Sequence, residues 1–249
     1  TSETFFLRHA LNPVAADQIP NYFIRLQTIQ GGDLASAALE DFDAVILANV
    51  GRFPERMVPT LSSYVRRGGG LLIFPGDKID TAFYNEQLGQ KAGLLPALFG
   101  ETRGKADQTD TFFGLQSKEF SHPVTSLWND PAAGTLSSVR VFQHQLLTPL
   151  SVTNNSDGAD IGAMQTVLSF TDGQPAVVEH SFGLGRVIQF TSTADTAWND
   201  LPVRPAFVPL LHRCLGVSIA RQDEGLNLKV GTRYSRRVNV ELLGKDAAF

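Results

Sequence analysis

Two short apolar runs dominate the chain's pattern: DFDAVILANV, from Asp41 to Val50, and GLLIF, from Gly70 to Phe74. Near-continuous hydrophobicity over so few residues predicts strands covered on both faces, hence parallel pairing. Between them, Met57, Leu61, Tyr64 and Val65 recur at helical spacing. That helix begins near Arg56, which leaves Pro59 in its first turn. Arg66 and Arg67 complement the C-terminal end of its dipole, and Gly68 supplies a left-handed cap. The unit reads strand, helix, strand.

Around this unit the pattern is more varied. Residues 2–11 predict a short helix, capped by Ser2 or Thr4 and stopped at Asn12-Pro13, with Phe6, Leu7, Ala10 and Leu11 on its apolar side. Tyr22 to Ile29 alternates, so it predicts a strand, and residues 33–40 predict a short helix or turn. A further helix is expected near 82–92, followed by a polar, mobile loop over 100–111. Val139 to Leu147 alternates as a half-exposed strand. Thr166–Phe170, Ala176–Ser181 and Arg186–Thr191, separated by Asp172-Gly173 and Gly183-Leu184-Gly185, predict an antiparallel meander. Phe207, Leu210, Leu211, Cys214 and Leu215 share one face of a last helix over 204–221. In it, Pro205 suits the first turn and Pro209 marks a kink or the true start. Residues 226–243 read as two short strands around Gly231. The fold class is therefore α/β: a mostly parallel sheet with an antiparallel C-terminal meander, an α/β domain over 1–224 and a β segment or extension over 225–249.

Composition narrows the function classes. A net charge of −4 gives no sign of nucleic-acid binding. The Lys229, Arg233, Arg236 and Arg237 group reads as a solvated strand face. A single cysteine excludes an internal disulfide framework and a cysteine-rich metal site. No apolar run approaches the ~18 residues of a membrane span, and no signal peptide is evident. The chain opens on Thr1 rather than methionine and reads as a piece excised from a longer protein.

Candidate chemistry is sought beyond the C-terminal ends of the parallel strands, where open sheets bind ligands. After Val50, Gly51-Arg52-Phe53-Pro54 lacks the glycines that wrap a phosphate. Gly68-Gly69-Gly70 precedes a strand, so it aims no helical N–H groups at an anion. After Phe74 comes Pro75-Gly76-Asp77, where a nucleophile elbow would carry Ser or Cys. Asp77 is an acid, a ligand or a cap of the next segment. After Phe190, Thr191, Ser192, Asp195, Trp198 and Asp200 gather within ten residues. They form either a cleft or a loop whose polar side chains brace backbone amides. Asn49, Asp77, Thr191, Ser192, Asp195 and Trp198 are the candidate cleft. Cys214 reads as core. His9, His122, His144, His180 and His212 form no close zinc-type pair. Asp157–Asp160 is too short for a calcium loop, and Asn154-Asn155-Ser156 matches a glycosylation sequon. No metal ligand set and no cofactor motif stands out.

The stretches FDAVILANV, YVRRGGGLLIFPGD with the later Tyr84-Asn85, Leu94–Pro96, Ser121-His122-Pro123, GQPAVVEHSFGLGRVIQFTSTAD and AWNDLPVRPAFVPLLHR together resemble class I glutamine amidotransferase-like domains. The resemblance is to a degenerate branch found in bacterial aerotolerance-type membrane proteins with von Willebrand factor A domains. It covers roughly residues 2–232 and implies a flavodoxin-like three-layer sandwich. In working members the strand after the first crossover ends in a glycine-flanked cysteine, where this chain has Phe74-Pro75-Gly76-Asp77. The family's His and Glu follow the last core strand, where this chain reads Thr191-Ser192-Thr193-Ala194-Asp195. Without nucleophile and base, covalent acyl transfer has no route.

The resemblance therefore implies a non-catalytic interaction or scaffolding domain of a membrane-anchored, periplasmic parent, with a cytoplasmic placement as the alternative. Its partners would be other domains of that parent or a membrane complex. Two other readings stay open: a sugar or metabolite binder with Trp198 as stacking platform, and a hydrolase using Asp77, Asp195 and Asp200. Such domains also open with a strand ahead of the first helix. Either that strand is missing or Tyr22–Ile29 takes another place in the sheet, and a missing strand would leave an edge or slot exposed.

Overall fold

The computed structural model describes residues 3–15, 18–150 and 161–219. The strands expected within 226–243, the basic group among them, and the Asn154–Asp160 loop with its sequon lie outside the described residues.

The strand–helix–strand unit forms as its pattern predicts. Strand β1 (Ala44–Ala48) pairs in parallel with β2 (Gly70–Phe74), Ala44 opposite Gly70 and Ala48 opposite Phe74. Helix α2 (Met57–Arg66) joins them, and Arg56 stands at its N-cap. Gly68 ends it at φ +113°, with Gly69 N–H reaching Tyr64 O at 3.1 Å. Every residue of β2 is buried, whereas β1 is largely half-buried. The expectation of full burial fails at β1 because it is the edge of the main sheet.

That sheet has five strands in the order β1, β2, β9, β8, β7. The predicted meander supplies three of them: β7 (Gln165–Ser169), β8 (Pro175–Phe182) and β9 (Gly185–Phe190). β9 lies parallel to β2 and antiparallel to β8, which is antiparallel to β7. The fold is a mixed α/β one, half parallel and half antiparallel in its pairings. Helices cover both faces. Leu72, Phe74, Ile188 and Phe190 pack with α1 (Glu3–Leu11) and α4 (Phe207–Ile219). Leu71, Ile73 and Val187 pack with α2 and the helix over 81–91. Phe74 and Phe190 stack at 4.0 Å between neighbouring strands.

That second helix opens as α3 (Thr81–Phe83), capped by the Asp80 carboxylate on Phe83 N–H at 3.0 Å, and continues in π-type turns over Tyr84–Lys91. Tyr84 is fully buried, and its hydroxyl donates to Val50 O at 2.9 Å. Asn85 exchanges two hydrogen bonds with the Phe99 backbone, at 2.7 and 2.8 Å.

Three expectations are corrected. Tyr22–Ile29 is not a strand: it follows a short 3-10 turn (Ile19–Asn21) and pairs with no strand of the sheet. Residues 100–104 are not loop but the end of β3 (Ala97–Gly104), antiparallel to β6 (Gln143–Pro149). Their polar side chains point to solvent from a two-stranded ribbon, so backbone pairing, not burial, makes the strand. Finally, Val139–Leu147 is broken. β4 (Phe113–Gly114) pairs β5 (Arg140–Val141), and Phe142 N–H leaves the ladder to donate to Trp198 O at 2.8 Å. The break interrupts the alternation, so that His144 and Gln145, adjacent in sequence, are both buried.

Candidate functional site

The C-terminal ends of β1 and β2 meet at Asn49. It is the first residue beyond β1, lies in the left-handed region at φ +50°, and is 5% exposed. Asparagine tolerates that conformation better than most residues. Its carboxamide joins three segments. Nδ2 donates to Glu3 Oε1 and to Asp77 Oδ1, each at 2.7 Å, and Oδ1 accepts Lys78 N–H at 2.9 Å. Gly76 permits this approach, since a Cβ there would fall 2.2 Å from Asn49 Cγ. The Pro75-Gly76-Asp77 turn is thus fastened to β1 and to the first turn of α1. Asp77 itself remains exposed.

Glu3 is a member of this site that the sequence did not single out. An acid in the first turn of a helix reads as a complement to the helix dipole, and nothing local reveals that the fold closes it onto Asn49. Burial raises the Glu3 pKa, the Asn49 hydrogen bond opposes this, and the neighbouring Asp195 and Asp77 charges add to the rise while Lys78 opposes it. Glu3 Oε2 is buried with no hydrogen-bond partner among the described residues. The Asn49 amide therefore holds two carboxylates, Glu3 and Asp77, and Glu3 also feels the charge of Asp195. Among the described residues, no group of three or more His, Cys, Asp or Glu is placed to hold a metal ion.

The loop after β9 spends its polar groups on its own backbone and on neighbouring strands. Thr191 Oγ1 donates to Ala176 O at 3.0 Å, and Ser192 Oγ to Gln143 O at 3.0 Å. Asn199 Nδ2 donates to Ser192 Oγ at 2.9 Å and to Thr193 O at 3.0 Å. Asp195 Oδ1 accepts Ala197 N–H at 2.9 Å. Trp198 is 5% exposed, so its ring offers no face to a ligand, and the stacking platform expected there is absent. Asp200 accepts Arg140 N–H at 2.7 Å and pairs with the guanidinium groups of Arg140 and Arg204. Burial alone would raise its pKa; Arg204 and Arg140 outweigh that and hold it below the usual carboxylate range. Of the sequence candidates, the fold brings together Asn49 and Asp77, with Asp195 close enough to act on Glu3. Thr191, Ser192 and Trp198 serve as braces and core.

The residue types of an acyl-transfer triad occur elsewhere, disarmed. Cys214 is fully buried on α4, and burial pushes its thiol pKa up. Glu179 on β8 is 1% exposed; its Oε1 accepts from Arg186 Nη1 and meets His122 Nε2 at 3.1 Å. Val124 N–H donates to His122 Nδ1 at 3.2 Å, so the ring proton sits on Nε2 and points at Glu179. The other histidines are also engaged: His9 with Phe5 O, His144 with Gln145 O, His180 with Leu94 O and His212 with Ala10 O. Burial lowers the pKa of His144, and takes that of His180 down to about 4.

Away from Asn49, a shallow groove of about 390 Å³ is lined by Arg52, Glu55, Asp80, Phe83, Gln87 and Lys91. Its charges are mutually paired: Arg52 with Glu55 and Asp80, each at 3.7 Å, and Lys91 with Glu86 at 2.7 Å. No helix among the described residues is long and apolar enough to cross a membrane.

No protein-family model matches the chain, and no curated protein matches it. Solved structures share the fold. A Salmonella typhimurium protein described as cytoplasmic is similar with a TM-score of 0.61 at 14% identity, over 86% of each chain. A second, from Salmonella typhimurium LT2 and also described as cytoplasmic, gives 0.57 at 16% identity, over 86% of this chain and 84% of its own.

Proposed function

We propose that this is a non-catalytic, amidotransferase-like domain of flavodoxin-like three-layer build, which works by holding another protein rather than by turning over a substrate. The observation that carries this reading is the turn after β2. Where an acyl-transfer enzyme keeps its nucleophile stands Asp77, bonded to Asn49, and no histidine side chain contacts it. The chain's single thiol is sealed in the core. Acyl transfer needs an activated nucleophile beside a base, and the described residues offer neither at that position.

An intact scaffold with a fastened, chemically empty turn suits an interaction or scaffolding role within a larger protein or complex. For placement, the cytoplasmic description of the two Salmonella proteins favours the cytoplasmic alternative over the periplasmic, membrane-anchored parent that the resemblance implies. Reporter fusions to the native gene product decide between the two.

The catalytic half of the proposal is tested by glutaminase and esterase assays on the purified chain, with Asp77→Ala as comparison. The expected result is no turnover above buffer for either protein. Turnover that disappears in Asp77→Ala overturns the reading and assigns Asp77 a catalytic task.

A further inference from the structure

β1 closes one side of the main sheet and has only β2 beside it. The ladder tells which of its backbone groups are used. Asn49 N–H donates to Phe74 O at 2.9 Å, and Gly70 N–H to Asp43 O at 2.9 Å. In a parallel pair, alternate residues face the neighbour, so 43, 45, 47 and 49 point to β2. Ala44, Ile46 and Ala48 point their N–H and C=O groups away from the sheet. No other strand among the described residues takes them up.

The segment that failed to become a strand, Tyr22–Ile29, is anchored near both of its ends. It leads from the end of α1 towards the residue that follows Asn49. At its start the Asn12 carboxamide, oriented to satisfy both acceptors, donates to Ile24 O at 3.1 Å and Leu11 O at 3.0 Å. At its finish a Cβ on Gly31 would sit 2.9 Å from Val50 Cγ1. Ile24, Ile46 and Ala48 each border the core on one face of the sheet, while Val45, Val50 and Leu34 belong to the core on the other. Phe23, Leu26 and Ile29 stay 77%, 37% and 40% exposed. A strand edge with unpaired N–H and C=O groups is a template for strand addition.

The charges say what fits. Glu40, Asp41 and Asp43 lie exposed ahead of β1, and none forms a salt bridge among the described residues. Glu3 and Asp77 lie at its other end. A second copy of this chain, itself at net charge −4, would set acid against acid at both ends.

We propose that the outer edge of β1 receives an extended segment of another protein, apolar over about five residues and flanked by lysine or arginine. The segment completes the ladder at Ala44, Ile46 and Ala48. This rests on the interaction role proposed above and names its surface.

The test is titration of the full chain with the peptide acetyl-KKVIVLVKK-amide, read by amide hydrogen exchange. Protection is expected to appear at Ala44, Ile46 and Ala48, in alternation with amides already protected by β2. Ala44→Pro removes one outward N–H without touching the β2 ladder, and is expected to weaken binding at least tenfold at unchanged Tm. Reversing the acids (Glu40→Lys, Asp41→Lys, Asp43→Lys), or using Glu-flanked peptide, is expected to do the same. Binding that ignores either change overturns the proposal, as does the absence of alternating protection. Protection without peptide also overturns it: when it grows with protein concentration alongside a dimer in sedimentation, a second copy is the occupant. When it is independent of concentration, the chain covers its own edge. Each of these results leaves the absence of glutaminase turnover untouched, so the two proposals fail separately.

Discussion

Replacing Glu179 by alanine is expected to cost more stability than any surface change on this chain. The carboxylate is 1% exposed, its partner His122 is 6% exposed at the side chain, and Arg186 is 22% exposed. Removing one partner of a buried charged cluster costs about 3–5 kcal/mol. Two contributions make up that figure here. The His122 Nε2–H loses its acceptor inside the core, at about 1–3 kcal/mol for an orphaned donor. The Arg186 guanidinium loses its counter-charge, which its partial exposure lets water offset only in part. For a chain of this length, 1 kcal/mol moves Tm by about 2–4 °C, so the expected drop is about 6–20 °C.

The assay is urea and thermal unfolding followed by circular dichroism, with the urea slope as a check on two-state behaviour. The same physics predicts that replacing the whole cluster by apolar residues (Glu179→Met, Arg186→Met, His122→Leu) lies within about 2 kcal/mol of the parent, because desolvation of the original charges disappears too. Glu179→Ala losing less than about 1 kcal/mol would refute the claim that this cluster is buried and coupled.

At the Asn49 junction the opposite sign is expected. The folded Glu3 pKa is raised, so its contribution is fully present below the ordinary value of 4.5 and is lost as pH rises through the folded pKa. Glu3→Gln keeps an oxygen for Asn49 and is expected to stabilise the chain at pH 7 but not at pH 4; a loss at pH 7 contradicts the crowding of carboxylates. His180, depressed from 6.5 to about 4, contributes stability that is present above pH 6.5 and lost as pH falls through 4. Between those limits urea midpoints should decline by up to about 3 kcal/mol equivalent, and a His180→Gln chain should show a flatter curve. Gly185→Ala should be severe, since its Cβ would meet Val65 O at 2.1 Å and Gly69 O at 2.4 Å. Backbone oxygens cannot step aside, so a loss of about 3 kcal/mol or complete misfolding is expected, against near-neutral Gly173→Asn in the open turn at φ +85°.

Periodicity announced the elements whose burial is one-sided or complete. α2, β2, the meander and α4 each carry their partner's position in their own apolar pattern, and each formed where the pattern placed it. Tyr22–Ile29 also alternated, though with apolar and polar residues mixed on both sides, and the described residues give it no strand to pair with. Residues 100–104 failed the other way: Glu101, Thr102 and Arg103 carry no apolar signal, and only the ladder with β6 makes them strand. At the site, the braced loop was readable because Thr, Asp and Asn favour local backbone bonds. Glu3 was not, because 46 residues separate it from Asn49, and one sequence records no such pairing.

The strand order has a consequence for synthesis. β2 is buried at every residue and lies inside the sheet, but its second neighbour, β9, begins only at Gly185. The intervening chain must leave the ribosome before that edge is covered. At about 5–20 residues per second, roughly 110 residues take on the order of 5–20 s. Throughout that interval GLLIF offers a bare, uncharged strand edge, the kind that pairs with whatever strand arrives first. A nascent chain stalled before Gly185 should therefore depend on chaperones in a way the finished domain does not.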